Sequence, residues 1–148
     1  LRRKVTMAEG KAFRLLLSEI SKTINQSGDE APLKAWAEEL SQAIQLVEET
    51  TVILQEAREQ GGTDAYLANA TIYLSMVGQV VIAWTWLRQT LVAVRQLKTA
   101  SELDKNFYQG KLQTCRYFFR WELPKIVYQS QILKDLDRTC LDMPDKWF

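Results

Sequence analysis

The sequence predicts an all-α protein, an antiparallel up-down bundle of four long helices with a short C-terminal tail. Strand-like alternation is absent. Only three prolines and six glycines interrupt the 148 residues, and they fall mostly where apolar periodicity lapses, as punctuation between helices does. The apolar spacing itself is helical, most clearly in the run from Asp64 to Arg95.

That run, DAYLANATIYLSMVGQVVIAWTWLRQTLVAVR, has no charged side chain between Asp64 and Arg88. Leu67, Ala70, Leu74, Val77, Val81, Trp84 and Leu91 follow a three-four spacing and stack on one stripe. Tyr66, Tyr73, Val80, Leu87 and Val94 recur beside them, as do Met76, Ala83 and Leu97. The apolar arc is therefore wider than a coiled-coil seam, and other helices must cover it. About twenty apolar residues could also cross a bilayer. Asn69, Gln79 and Gln89 interrupt the run, however, no single-sign flank sets an orientation, and the remaining segments offer faces to bury it. The run reads as a core helix over residues 64–97, not as a membrane span.

The other elements follow in order. Beyond a basic opening, LRRKVTMAEG, the first helix covers about 9–25, with Phe13, Leu16, Leu17, Ile20 and Ile24 on one face and turn chemistry at Asn25, Ser27, Gly28 and Asp29. Pro32 suits the first turn of the second helix, 32–60. Its inward stripe is Leu33, Trp36, Leu40, Ile44, Val47, Thr51 and Leu54, and Gly61-Gly62 ends it. Thr63 or Asp64 caps the third helix. Gly78 lies inside that helix and shares a column with Thr71 and Thr85, which predicts the close crossing of a partner helix there. Ser101 or Asp104 caps the fourth helix, about 105–137, which buries Leu112, Cys115, Phe119, Leu123, Ile126 and Leu133. Pro124 removes one hydrogen bond and crowds the preceding turn, so a kink is expected over Arg120–Leu123. The tail TCLDMPDKWF has no period and ends in Trp147-Phe148, an aromatic pair expected to dock on this bundle or, by preference, on a neighbouring domain or subunit.

Composition narrows the function. Basic and acidic side chains number 19 and 18, for a net charge of +1, which gives no field for nucleic acid. At 47% hydrophobic the chain has a core's worth of apolar residues for a single domain over 1–148. Cys115 and Cys140 lack CxxC spacing and no histidine is present, so no zinc site is expected and the thiols read as free in a cytoplasmic setting. The first ten residues hold no apolar segment of a signal peptide, and a start at Leu1 reads as a piece of something longer.

No catalytic constellation is spelled out. Without histidine, a GxSxG elbow, a GxGxxG or Walker loop, or carboxylates at metal-binding intervals, the catalytic, cofactor-binding and metal-binding sets are all empty. Arg88 falls on the stripe of Val81, Trp84 and Leu91, where a guanidinium needs a partner. Glu39 lies at the matching height on the second helix, so an internal Arg88–Glu39 pair is expected, with a contact to a bound anion or another subunit as the alternative. Trp84, Trp86, Tyr117, Phe118, Phe119 and Trp121 read as core and interface packing. Trp86 and Trp121 lie off the main stripes. With Arg88, Trp147 and Phe148 they form the set of interface candidates.

Two blocks, YLANATIYLSMVGQVVIAWTWLR and FYQGKLQTCRYFFRWELPKI, resemble the C-terminal extension of a subgroup of flavin-dependent acyl-CoA dehydrogenases related to 3-methylmercaptopropionyl-CoA dehydrogenase. The ending DMPDKWF and the opening LRRKVTMAEGKAFRLLLSEI are similar to that family as well. The resemblance implies a parent enzyme that oxidises the Cα–Cβ bond of an acyl-CoA thioester. There a carboxylate base takes the α proton, FAD takes the β hydride, and an electron-transfer partner reoxidises the flavin. It also implies that the base, in a Tyr-Glu-Gly stretch, and the flavin-binding parts precede the segment matching Leu1. No catalytic or FAD-binding residue is carried onto this chain, whose expected work is packing against the rest of the parent enzyme or a homodimer partner. A freestanding helical adaptor, its target lying over Trp86 and Trp121, is the alternative.

Overall fold

A computed structural model describes residues 10–60 and 63–147. Among these the chain is helical, without strands: α1 Lys11–Gly28, α2 Lys34–Glu59, α3 Thr63–Ala68, α4 Ala70–Leu97, α5 Glu102–Tyr117 and α6 Lys125–Lys134. Short 3₁₀ turns occupy Ala31–Leu33 and Asp145–Trp147, and a π turn spans Phe118–Glu122. The basic opening through Glu9, the stop at Gly61-Gly62 and the terminal Phe148 lie outside the described residues.

The expected helices are present with altered joints. The first runs on to Gly28, so Asn25, Ser27 and Gly28 form its last turn and not the connection. Pro32 sits in the 3₁₀ turn that precedes α2. The expected third helix divides at Asn69, where α3 stops and α4 starts. The Asn69 Nδ2 donates to the Asp137 carbonyl at 2.8 Å, tying that joint to the far end of the chain.

The fourth expected helix is also divided. It starts early, at Glu102, because Ser101 is the cap: its Oγ accepts from the Asp104 N–H at 3.3 Å, satisfying one of the helix's open donors. Ahead of Pro124 the hydrogen bonding widens, and the Leu123 N–H reaches the Phe118 carbonyl at 2.9 Å, five residues back. A proline ring crowds the carbonyl four residues earlier, here that of Arg120, and the widened turn, followed by the turn at Leu123–Pro124, hands the chain on to α6. The helix ends at Lys134, short of Asp137. Leu136 adopts a left-handed φ of 51°, and the Asp137 N–H closes back on the Ile132 carbonyl at 3.3 Å, a left-handed C-terminal cap built without glycine.

The core lies between α4 and the helices around it, for α4 packs against α1, α2, α5 and α6. Of the inward stripe expected for the second helix, Leu33, Leu40, Ile44, Val47, Thr51 and Leu54 are buried and Trp36 is half-buried. From the last two helices and the π turn between them Cys115, Phe119, Leu123, Ile126 and Leu133 are buried as expected, whereas Leu112 is only half-buried. The close crossing expected at Gly78 has no partner among the described residues: a Cβ built on Gly78 meets nothing within 4 Å. The stripe of α4 requires correction. Tyr73, Met76, Val80, Ala83, Leu87 and Val94 form the buried face, whereas Leu67 and Leu74 are 39% and 69% exposed. A helix apolar on every side carries no period that marks its inner column; the arrangement of its neighbours decides.

Threonines join the layers in a repeated way. Thr50 donates to the Leu46 carbonyl at 2.7 Å, which leaves its lone pair for the Ser130 hydroxyl of α6 at 2.8 Å. Thr51 donates to the Val47 carbonyl at 2.7 Å and receives the Tyr73 hydroxyl of α4 at 2.7 Å. Thr23 of α1 donates to the Glu19 carbonyl at 3.3 Å and accepts the Trp84 Nε1–H at 2.8 Å. Each hydroxyl spends its hydrogen on its own helix and its lone pair on the next, so these three hydroxyls pair polar atoms across helices.

Candidate functional site

Arg88 does not pair with Glu39. It continues the Leu67–Leu74–Val81 column, which turns away from the core, and is exposed. Its guanidinium lies 5.0 Å from the centre of the Trp84 ring, and among the described residues it forms no ion pair. Trp84 is held in place by its bond to Thr23, so the cation rests on a fixed aromatic face.

A second cation stands beside it. Lys111 of α5 places its Nζ 5.5 Å from the Trp86 ring centre and 5.4 Å from that of Phe107, and it donates to the Gln89 Oε1 at 3.1 Å. Arg88, Val92, Phe107, Tyr108 and Lys111 line an open cleft of about 480 Å³ between α4 and α5. Val92 and Phe107 are 56% and 60% exposed there. The structure thus joins two interface candidates, Arg88 and Trp86, in one neighbourhood and adds Phe107, Tyr108 and Lys111. Their signal in the sequence was the spacing of two aromatics and a lysine within one turn of the fourth helix.

Trp121 lies in the π turn, 65% exposed, and Trp147 in the final 3₁₀ turn, 68% exposed; neither lines this cleft. Near the π turn is another cleft of about 510 Å³, lined by Trp36, Glu39, Arg116, Phe119, Arg120 and Pro124. The rings of Trp36 and Phe119 approach to 5.9 Å. Arg120, not Arg88, is the cation whose field Glu39 feels. Burial nevertheless prevails and raises the Glu39 carboxyl above its ordinary range, because lost hydration penalises the charged form.

Reactive groups are few. Burial pushes the Cys115 thiol up to about 12, and Thr90 sits 3.7 Å from its sulfur. A thiol so far from ionisation at neutral pH is no nucleophile. Cys140 is exposed. No group of three metal-ligating side chains occurs among the described residues. What the arrangement offers is aromatic, apolar and cationic surface, the chemistry of packing and docking.

Known proteins resemble the chain along its whole length. It is 24% identical over 152 residues to the broad-specificity linear acyl-CoA dehydrogenase FadE5 of Mycobacterium tuberculosis, with 99% of this chain and 25% of that protein covered. It is 24% identical over 150 residues to butyryl-CoA dehydrogenase of Syntrophomonas wolfei, covering 99% and 24%. The chain thus spans about a quarter of the length of the curated relatives it matches. The family described as "Acetyl-CoA dehydrogenase C-terminal like" matches residues 16–144, a span that takes in every helix from α2 to α6 and most of α1, and to that family the chain belongs.

Proposed function

We propose that residues 1–148 form the noncatalytic C-terminal bundle domain of an FAD-dependent acyl-CoA dehydrogenase of the subgroup related to 3-methylmercaptopropionyl-CoA dehydrogenase. The parent enzyme desaturates the Cα–Cβ bond of an acyl-CoA thioester in the cytoplasm and passes electrons to a partner protein. This chain serves it by packing against the catalytic portion or by assembling subunits. The observation that carries the reading is the family match over residues 16–144 in a chain that spans a quarter of two acyl-CoA dehydrogenases.

The chemistry of the chain supports that division of labour. A dinucleotide's pyrophosphate is held on backbone N–H groups of a glycine-rich turn that opens a helix. Gly78 and Gly110 lie inside helices and Gly28 is the last residue of one, so these glycines do not fit a flavin, and no residue here is given a role toward it. The reading also takes the long helices as one up-down bundle bent at Pro124, supported by short connections at Asp29–Leu33 and Lys98–Ser101.

The test compares the whole enzyme with a form lacking residues 1–148, measuring bound flavin, dye-linked acyl-CoA oxidation and mass in solution. We expect the shortened enzyme to lose assembly or stability and the isolated chain to carry neither flavin nor activity. Acyl-CoA oxidation by the isolated chain would overturn the proposal.

A further inference from the structure

The cleft beside the π turn gathers three charged side chains without joining them. Glu39 of α2, Arg116 of α5 and Arg120 of the π turn line one opening of about 510 Å³, yet among the described residues none of the three is ion-paired. Glu122, the acid nearest Arg120 in the chain, is taken by Lys125 at 2.6 Å. Two like charges four residues apart on a helical face repel each other. Here they share a cleft whose one carboxylate stands too far off to neutralise either.

We propose that this cleft binds a phosphoryl group, held by the guanidinium groups of Arg116 and Arg120, with Glu39 as a hydrogen-bond donor to it. The site goes beyond the packing role given above and does not depend on it, and its walls come from α2, α5, the π turn and Pro124, not from α4.

Three features select the ligand. Two adjacent guanidinium groups repel a cation and offer two positive charges, which a phosphate dianion matches and a single carboxylate leaves half compensated. The planar fork of arginine also fits two phosphate oxygens at once. The remaining wall is suited to the same anion. Burial outweighs the field of Arg120 and moves the Glu39 carboxyl toward its protonated form, in which it has a hydrogen to donate. Beside it the Trp36 and Phe119 rings, 5.9 Å apart, offer an aromatic surface against which the organic part of a phosphate ester can lie.

The test is a phosphorus NMR titration of the whole enzyme with inorganic phosphate and, separately, with phenyl phosphate. Arg116 and Arg120 are exposed, so their replacement leaves the core intact. We expect Arg116→Gln or Arg120→Gln to weaken binding at one site about tenfold, the worth of a hydrogen bond to a charged group, and the double variant to abolish that site. Arg88→Gln, outside the cleft, should leave it unchanged. Glu39→Gln keeps a donor and removes the negative charge, so it should bind phosphate at least as tightly near neutral pH, whereas Glu39→Ala should bind it more weakly. Tighter binding of phenyl phosphate would assign the cleft to a phosphate ester, and equal binding to the free anion. An enzyme that binds neither probe, or whose binding survives loss of both arginines, overturns the proposal and leaves the noncatalytic role standing. Weaker phosphate binding in Glu39→Gln than in Glu39→Ala would likewise sink it.

Discussion

Thr51→Val is the sharpest probe of how the layers are joined. Valine copies the shape of threonine and removes only the oxygen. Thr51 is buried, its hydrogen is spent on the Val47 carbonyl, and its lone pair receives the Tyr73 hydroxyl at 2.7 Å. Valine strands that phenol in a site where Tyr73 is 3% exposed, and an unsatisfied buried donor costs about 1–3 kcal/mol. Tyr73→Phe removes the donor instead. Thr51 keeps its own donation, so this variant loses about 0.5–1.5 kcal/mol, the net worth of one hydrogen bond. The double variant has no polar atom left to strand, and its cost should be no more than that of Tyr73→Phe alone. Urea unfolding followed by far-ultraviolet circular dichroism gives all four corners of the cycle. A Thr51→Val penalty that persists undiminished in the Tyr73→Phe background would refute the coupling.

Other outcomes follow from single sites. Native protein should react with one equivalent of a thiol reagent near pH 8, at Cys140, and with a second only on unfolding, because Cys115 is buried with its ionisation pushed up to about 12. The same shift links stability to pH. A raised folded pKa leaves the contribution intact below the ordinary value of 9.0 and removes it progressively from there toward about 12, at up to about 1.4 kcal/mol per pH unit. Cys115→Ala should flatten the part of the alkaline loss that this thiol contributes, as measured by unfolding at stepped pH. Asn69→Ala removes the 2.8 Å tie to the Asp137 carbonyl. It should cost about 1 kcal/mol and speed amide exchange near residues 133–137, while exchange in α2 stays unchanged. Lys111→Met keeps the stem over Trp86 and Phe107 but deletes the charge 5.5 and 5.4 Å from their rings. It should cost about 0.5–1 kcal/mol and shift tryptophan emission.

Much of this fold was legible in the sequence, and the pattern of what was not has one cause. On α2, apolar and charged residues alternate around the helix, so one stripe stands out, and Leu40, Val47 and Leu54 are buried where the spacing put them. The last two helices are nearly as readable because Arg116 and Lys125 mark their outer columns. From Ala65 to Leu87, through α3 and most of α4, every column is uncharged, the spacing loses its power to discriminate, and the buried face lies one column away from the stripe of Leu67, Leu74 and Val81. The same displacement turns Arg88 outward and excludes the pairing with Glu39. At Pro124 the chemistry was right in locating a disturbance, but a π turn at Phe118–Glu122 absorbs the ring's demand inside the helix. The basic and aromatic cleft at Lys111 is not legible in the sequence, because its members come from two helices whose mutual rotation no local pattern fixes.

The same ambiguity explains why α4 is apolar on its outer side as well as on its inner one. A conventional amphipathic helix would commit its apolar residues to one side, and its charges would forbid a second apolar contact. By leaving charge out of twenty-three consecutive positions, Ala65–Leu87, the sequence lets Tyr73, Met76, Val80 and Leu87 close the core while Leu74 and Ile82 stay available on the opposite side. Such a helix alone would have no defined rotation. The buried hydroxyl bonds supply it, because Tyr73 reaches Thr51, Trp84 reaches Thr23 and Thr90 meets Cys115, each from a different neighbour. Thr51→Val together with Thr23→Val should then do more than destabilise. With two of those three ties removed, α4 loses its rotational register, and the exposure of Leu74 and Ile82 is shared with residues now buried. In a cysteine scan of α4, labelling rates should spread from the outward column to its neighbours in the double variant. Labelling confined to the same positions as in the parent would show that apolar packing alone sets the rotation.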